Sequence, residues 1–345
     1  MTPQSALRTL STAATVALAT LAFASPLSAE TVDTIKKSFN VQPGGRIAVD
    51  VDAGSIEVKT GAGNTVAVEV VRKFRGSSED KEKDMLARQE VTIEQSGDDV
   101  HIRARSQGTF TSGGFWSWFG RGTNRDIRYT ITVPRNYHAE LKTAGGPIAV
   151  KELQGDIQAH TSGGPLHFAS IHGNIDGGTS GGPIHLERCR GDVTLHTSGG
   201  GIDVDDGEGS FKLETSGGGI SIDGHRGALS VHTSGGGVHI ARVDGSVDAS
   251  SSGGPVTASF VAQPTGDCRL HTSGGGVSLE VPANARIVLD AHSSGGGVNC
   301  SLSGGTDLEK SRGKLRATYN GGGPRMELST SGGGIDVKTS RGIEG

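Results

Sequence analysis

Aromatic residues make up only 4% of this 345-residue chain. That excludes a core resting on Phe, Tyr and Trp, the side chains with the largest buried areas. Burial must come instead from many small aliphatic residues in a thin core. A basic surplus is missing too: 33 Lys and Arg face 37 Asp and Glu, a formal charge of −4. A sequence-neutral nucleic-acid binder carries a basic excess or a basic face, so no nucleic-acid partner is expected. Cysteine is limited to Cys189, Cys268 and Cys300, and an odd count in an exported chain asks for a pair or a free thiol. A second long apolar run is absent. The single run extends from about Thr12 to Ala24, with Arg8 the only charge before Glu30, Pro26 as a breaker and Leu27-Ser28-Ala29 as a small-residue exit. Charged start, short apolar middle and small-residue exit make a secretory signal peptide over residues 1–29. The run falls short of the ~20 residues a spanning helix needs. The expectation is an exported chain: periplasmic, outer-surface-associated or secreted.

Glycine, by contrast, is abundant, with 57 residues. Its pairs are periodic. Thr143-Ala144-Gly145-Gly146 is followed by Thr161-Ser162-Gly163-Gly164 and by the same tetrad at 179, 197, 215 and 233, then by Ser251-Ser252-Gly253-Gly254, each step being 18 residues. Units at 272 and 293 follow at steps of 21, and looser ones begin at Tyr319 and Thr330. Inside the 18 lies a period of nine. Glycine recurs at every ninth position from 146 to 254, and two residues after each stands an apolar side chain, from Ile148 and Ile157 to Val247 and Val256. Gly-x-apolar-x-apolar followed by a turn is a strand with one buried face. One such strand buries too little to stand alone, but stacked rungs merge their inward columns into one core. The sequence thus predicts an all-β, single-stranded β-solenoid (β-helix) over residues 143–345, with 18-residue rungs made of two nine-residue halves. Two other coils are excluded. The calcium-binding nonapeptide roll needs an Asp where Val150 stands, and a hexapeptide helix needs apolar residues where Gln154 and His160 stand.

Residues 30–142 form an N-terminal β-rich cap region continuous with the solenoid. Gly45-Arg46-Ile47-Ala48-Val49 and Gly54-Ser55-Ile56-Glu57-Val58 carry the repeat signature already. Ser78 to Gln89 is the one helix candidate, with a serine N-cap and acids in its first turn. Phe39-x-Val41-x-Pro43-Gly44-Gly45, Asp52-x-Gly54-Ser55-Ile56, Tyr129-x-Ile131-x-Val133-Pro134 and the Ser-Gly-Gly rungs together resemble the bacterial "putative adhesin" β-strand-repeat family, a domain of unknown function, over roughly residues 35–340. The resemblance implies an exported, envelope-associated β-solenoid and brings no catalytic residues with it.

Candidate chemistry is sparse. His160, His196, His232, His271 and His292 share the slot before the Ser-Gly-Gly turn, and His167, His185 and His239 share the slot after the next apolar residue. Both slots face outward. The first column alternates His with Gly178, Glu214 and Ser250, which puts its histidines ~10 Å apart, too far to share an ion at ~2.1 Å per bond. His271 and His292 are expected on successive rungs, within reach of each other. Asp203, Asp205, Asp206 and Glu208 cluster as a solvated acidic turn. No catalytic residue, cofactor or metal ligand is assigned. The expected function is a non-enzymatic envelope or secreted scaffold with adhesin-like surface binding. The rival is a carbohydrate-active β-helix enzyme acting on polysaccharide. Phe115, Trp116, Trp118 and Phe119 lie in a glycine-flanked segment beside Arg121 and Arg125. They are read either as a cap over the solenoid end or as a contact for an envelope component, glycan or membrane surface, since exposed aromatic patches mark interaction.

Overall fold

The structure is a computed structural model, and it describes residues 30–75, 79–106 and 124–340. The signal segment 1–29, the Ser78 cap and the four aromatic residues Phe115, Trp116, Trp118 and Phe119 lie outside the described residues.

Each glycine-led nonapeptide makes one short strand, and successive strands fall alternately in two sheets of 14 and 15 strands. Partners are offset by 18 residues in parallel register: Ile157 lies against Ile175 and Ile175 against Val193 in one sheet, and Ile184 against Ile202 in the other. The period-two alternation points Ile184, Leu186, Val193 and Leu195 inward, all at most 1% exposed. Burying each such side chain contributes ~1.5–3 kcal/mol before chain entropy is subtracted. The solenoid of two half-rungs is therefore as expected.

The cross-section has a detail that simple alternation misses. In the strand Ile184–Arg190 the inward residues are Ile184, Leu186 and then Cys189, a gap of three. Arg188 supplies the extra residue at φ 51°. Glu152, Ser170, Asp206, Gly224 and Arg242 occupy the same slot in other coils, all at positive φ. This stacked bulge bends these six coils at one corner and turns the following residue inward. Leu153, Ile171, Cys189, Gly207, His225 and Val243 form that corner column.

At the opposite corner the Ser-Gly-Gly turns stack. A Cβ on Gly164 would stand 2.1 Å from the carbonyl oxygen of Gly146. Glycine is required there for close backbone approach, whereas Gly173 and Gly191, half a coil on, have φ of 151° and 136°. The threonine before each turn is buried, and its hydroxyl donates to a glycine carbonyl of the preceding turn: Thr161 to Gly146 at 3.0 Å, Thr179 to Gly164 at 2.9 Å. The same hydroxyl accepts the N–H three residues on, as in Gly164 to Thr161. The ladder is thus hydroxyl to carbonyl.

The N-terminal region continues both sheets. Arg46–Val51 pairs with His138–Thr143, and Ser55–Gly61 with Ile148–Lys151, so this pair of strands is the first coil. Below it, Asn124–Pro134, Thr65–Arg75 and Glu30–Asn40 extend one sheet, and Asp99–Ser106 and Gln89–Ser96 extend the other. The helix Glu79–Ala87, within the expected span, packs on this end. Arg72, 8% exposed, ties the layer together by donating to Asp33 and to the Gln89 carbonyl.

The C-terminal end corrects the expected order. The last coil, Arg325–Thr330 with Ile335–Thr339, lies between the coil of Cys268–Thr272 and Val277–Val281 and the coil of Ile287–Ser293 and Val298–Cys300. The Tyr319 unit is no rung: Lys314–Tyr319 runs antiparallel to Ile287–Ser293, and the positive-φ residues Asn320, Gly321 and Gly322 reverse the chain after it. The terminal strands carry the same inward apolar pattern as any other coil, so they fit an interior slot as well as an end.

Candidate functional site

The outward columns and the bulged corner are what this fold presents to a partner. The outer column of one sheet reads His160, Gly178, His196, Glu214, His232, Ser250, His271, Ser329, His292. His271 and His292 are not on successive coils as expected, because the inserted last coil places Ser329 between them. His271 Nδ1 lies 2.9 Å from Ser329 Oγ, and His232 Nδ1 stands in the same relation to Ser250 Oγ at 2.9 Å.

The other sheet holds a closer pair of histidines. His167 and His185 occupy the same outward slot on directly paired strands. Their ring centroids are 6.5 Å apart, with planes tilted by 55°. His185 Nδ1 faces Asp203 Oδ2 on the next coil at 3.2 Å. Partial burial, Lys151 and His185 together hold the His167 imidazole below its ordinary value, with Glu187 opposing. The 18-residue spacing was the available signal, since 167 and 185 differ by one full coil. Among the described residues, no group of three or more His, Cys, Asp or Glu could hold a metal ion.

The acidic cluster disperses. Asp203, Asp205, Asp206 and Glu208 lie on one strand, Ile202–Glu208, and not in a turn. Asp203 faces His185, Asp206 sits at the positive-φ corner 3.9 Å from Arg242, and Glu208 pairs with Arg190 at 3.3 Å. Arg242 also donates to Asp223 at 2.6 Å, which holds that carboxyl below its usual range. Beside the bulge the column His172, Arg190, Glu208, Arg226, Asp244 alternates in sign from Arg190 onward, an arrangement in which each charge neutralises its neighbours. A shallow open groove of about 690 Å³ runs along this corner.

Under the groove sits His225, 3% exposed, with neither ring nitrogen hydrogen-bonded. Its ring lies 4.6 Å from that of Phe211 and fills the space left by Gly207, where a Cβ would meet Phe211 and His225. Burial pushes its imidazole below the ordinary value. Cys189 and Cys268 are free and buried, and Cys300 is free with its Sγ 3.2 Å from Tyr319 Oη. Burial pushes the Cys189 thiol up to about 11, so it packs as a small hydrophobe and stays protonated.

Residues 45–338 match the model of the Toastrack DUF4097 family. Three solved structures are similar at low identity. A "putative adhesin" from Parabacteroides distasonis is 13% identical, with 89% of this chain and 97% of that one covered and a TM-score of 0.43. A "putative lipid binding protein" from the same organism is 10% identical over 90% and 97%, with a TM-score of 0.39. A "putative adhesin" from Bacteroides fragilis is 12% identical over 89% and 97%, with a TM-score of 0.35. No curated protein matches.

Proposed function

The chain belongs to the Toastrack DUF4097 family, and we propose that it is a non-enzymatic, exported scaffold of the cell envelope or the extracellular space that binds surfaces in the manner of an adhesin. The observation that carries this reading is the unbroken stack from His138 to Phe260. Its turns carry no insertion, and its outward columns hold polar and charged side chains, several of them paired with a neighbour one coil away. A polysaccharide hydrolase needs carboxyls placed across a cleft. Here Asp206, Asp223 and Glu208 are each engaged by an arginine on a shallow wall. Export rests on the signal-peptide pattern of residues 1–29. The division at residues 142 and 143 marks where irregular spacing gives way to the 18-residue repeat.

For the contact itself we propose Phe115, Trp116, Trp118 and Phe119, which follow the strand Asp99–Ser106 and precede Asn124–Pro134. Aromatic side chains flanked by Arg121 and Arg125 suit an anionic envelope surface. The test is fractionation of expressing cells together with a Trp116→Ser, Trp118→Ser double variant. The expected result is a chain outside the cytoplasm, cleaved after residue 29, whose variant melts like the parent but loses retention on envelope material. A cytoplasmic, uncleaved chain removes the export reading. A variant that keeps its retention removes the contact.

A further inference from the structure

Two imidazoles side by side on one sheet face are a chelating pair when their separation suits a single ion. With ~2.1 Å from metal to nitrogen, two rings that share an ion have centres roughly 5.3 Å apart at a tetrahedral angle and roughly 6.5 Å apart when the two nitrogens are trans. The His167 and His185 centroids are 6.5 Å apart. Both side chains project from paired residues of neighbouring coils, so neither must cross the sheet to reach the other. Asp203 faces His185 through Nδ1, which leaves Nε2 as the free nitrogen of that ring. A carboxylate on one imidazole nitrogen, with the other left for a metal, is the arrangement that fixes ring orientation and raises ligand basicity.

We propose that His167 and His185 form a binding site for one divalent transition-metal ion of the zinc, copper or nickel class, with Asp203 as the positioning residue. Imidazole ligands suit these ions over calcium or magnesium. Water fills the remaining positions, because only two protein nitrogens converge. The nearby charges are mixed. Lys151 opposes a cation, and Asp203 and Glu187 favour it. The other outward histidines lack this geometry. In the His160 column a Gly, Glu or Ser separates each His from the next, at ~10 Å. His138 faces Asp156, and His239 lies between Ser221 and Thr257. Among the described residues, His167 and His185 are the one pair of histidines on directly paired positions.

The test is a zinc titration of the purified full chain near neutral pH, repeated with copper for electron paramagnetic resonance. The expected result is one site tighter than the rest, with a copper spectrum showing two imidazole nitrogens. His167→Ala or His185→Ala should each weaken that site at least tenfold and remove one nitrogen from the spectrum. Asp203→Asn should weaken it about tenfold, the range for a partner behind a ligand. His196→Ala, on the other sheet, should leave it unchanged. All four positions face outward, and melting without metal should be unchanged, which separates loss of the site from loss of the fold. If the tightest site survives the His167→Ala, His185→Ala double variant, or if His196→Ala weakens it equally, the proposal fails.

Discussion

The hydroxyl of Thr197 donates to the carbonyl of Gly182, 2.9 Å away in the preceding turn. It also accepts the backbone N–H of Gly200 at 3.3 Å, and Thr197 itself is fully buried. One side chain thus holds two stacked turns whose glycines are too close for any Cβ. Thr197→Val keeps the shape and removes the hydroxyl, which leaves buried polar backbone without this partner at a cost of ~1–3 kcal/mol. Thr194→Val, on the exposed face of the same strand, should shift stability by no more than about 0.5 kcal/mol. Urea melts of the two variants check this. Equal midpoints would contradict the turn ladder.

Register is tested at neighbouring positions. Ile202 is fully buried and Asp203 faces outward. Ile202→Asp places an unpaired charge in a thin core and should unfold the surrounding coils. Asp203→Ala removes one exposed ion pair with His185, worth at most about 1 kcal/mol. Hydrogen exchange of residues 184–226 reads both. Similar protection in the two variants would place the strand one residue out of register.

The inserted last coil makes an unusual truncation prediction. A chain ending at Pro324 loses Arg325–Thr330 and Ile335–Thr339, and with them the partners of both Cys268–Thr272 and Ile287–Ser293. Removing an interior coil opens the core on two sides, whereas trimming a terminal coil exposes one. The truncated chain should melt far below the parent and bind a dye for exposed apolar surface. Replacing Thr306–Lys310, which is exposed along its whole length, with a Gly-Ser linker should cost little. A truncated chain that melts like the parent would show that the coils stack in sequence order.

His225 sets a pH dependence. Its folded value lies below the ordinary one because burial disfavours the charged ring. The unfolded chain therefore binds the proton first as pH falls below ~6.5. The stability is fully present above that value and is lost as pH falls towards the folded value, with a slope of at most about 1.4 kcal/mol per pH unit. The charges flanking its column are Asp206, Glu208, Arg226, Arg242 and Asp244, all exposed or half-exposed on the groove. His225→Leu, matching Leu153 in that column, should flatten the stability profile between pH 7 and pH 5. An unchanged slope would assign the dependence to other groups, His167 first among them.

Much of the fold was legible because one physical rule repeats. Glycine every nine residues with an apolar residue two positions on allows one strand geometry and one stacking period, and Ile184 over Ile202 follows from it directly. The bulge at Arg188 was hidden, since a positive φ at Glu, Ser, Arg or Asp leaves no compositional mark. The order of the last coils was hidden for the opposite reason: Met326 and Leu328 fit an interior slot and an end slot equally well. The His167–His185 pair was present in the spacing but obscured by the regular alternation of the His160 column. His225 was invisible because its slot is apolar elsewhere, and only the neighbouring Gly207 makes room for a ring.

The function we propose is that this solenoid holds on to a surface and performs no turnover. The most direct measurement incubates the purified chain with envelope material and a polysaccharide panel, and assays both retention and new reducing ends or unsaturated products. Retention on envelope material with no product from any polysaccharide is the expected result. Clear, protein-dependent release of new ends, without retention, would contradict it.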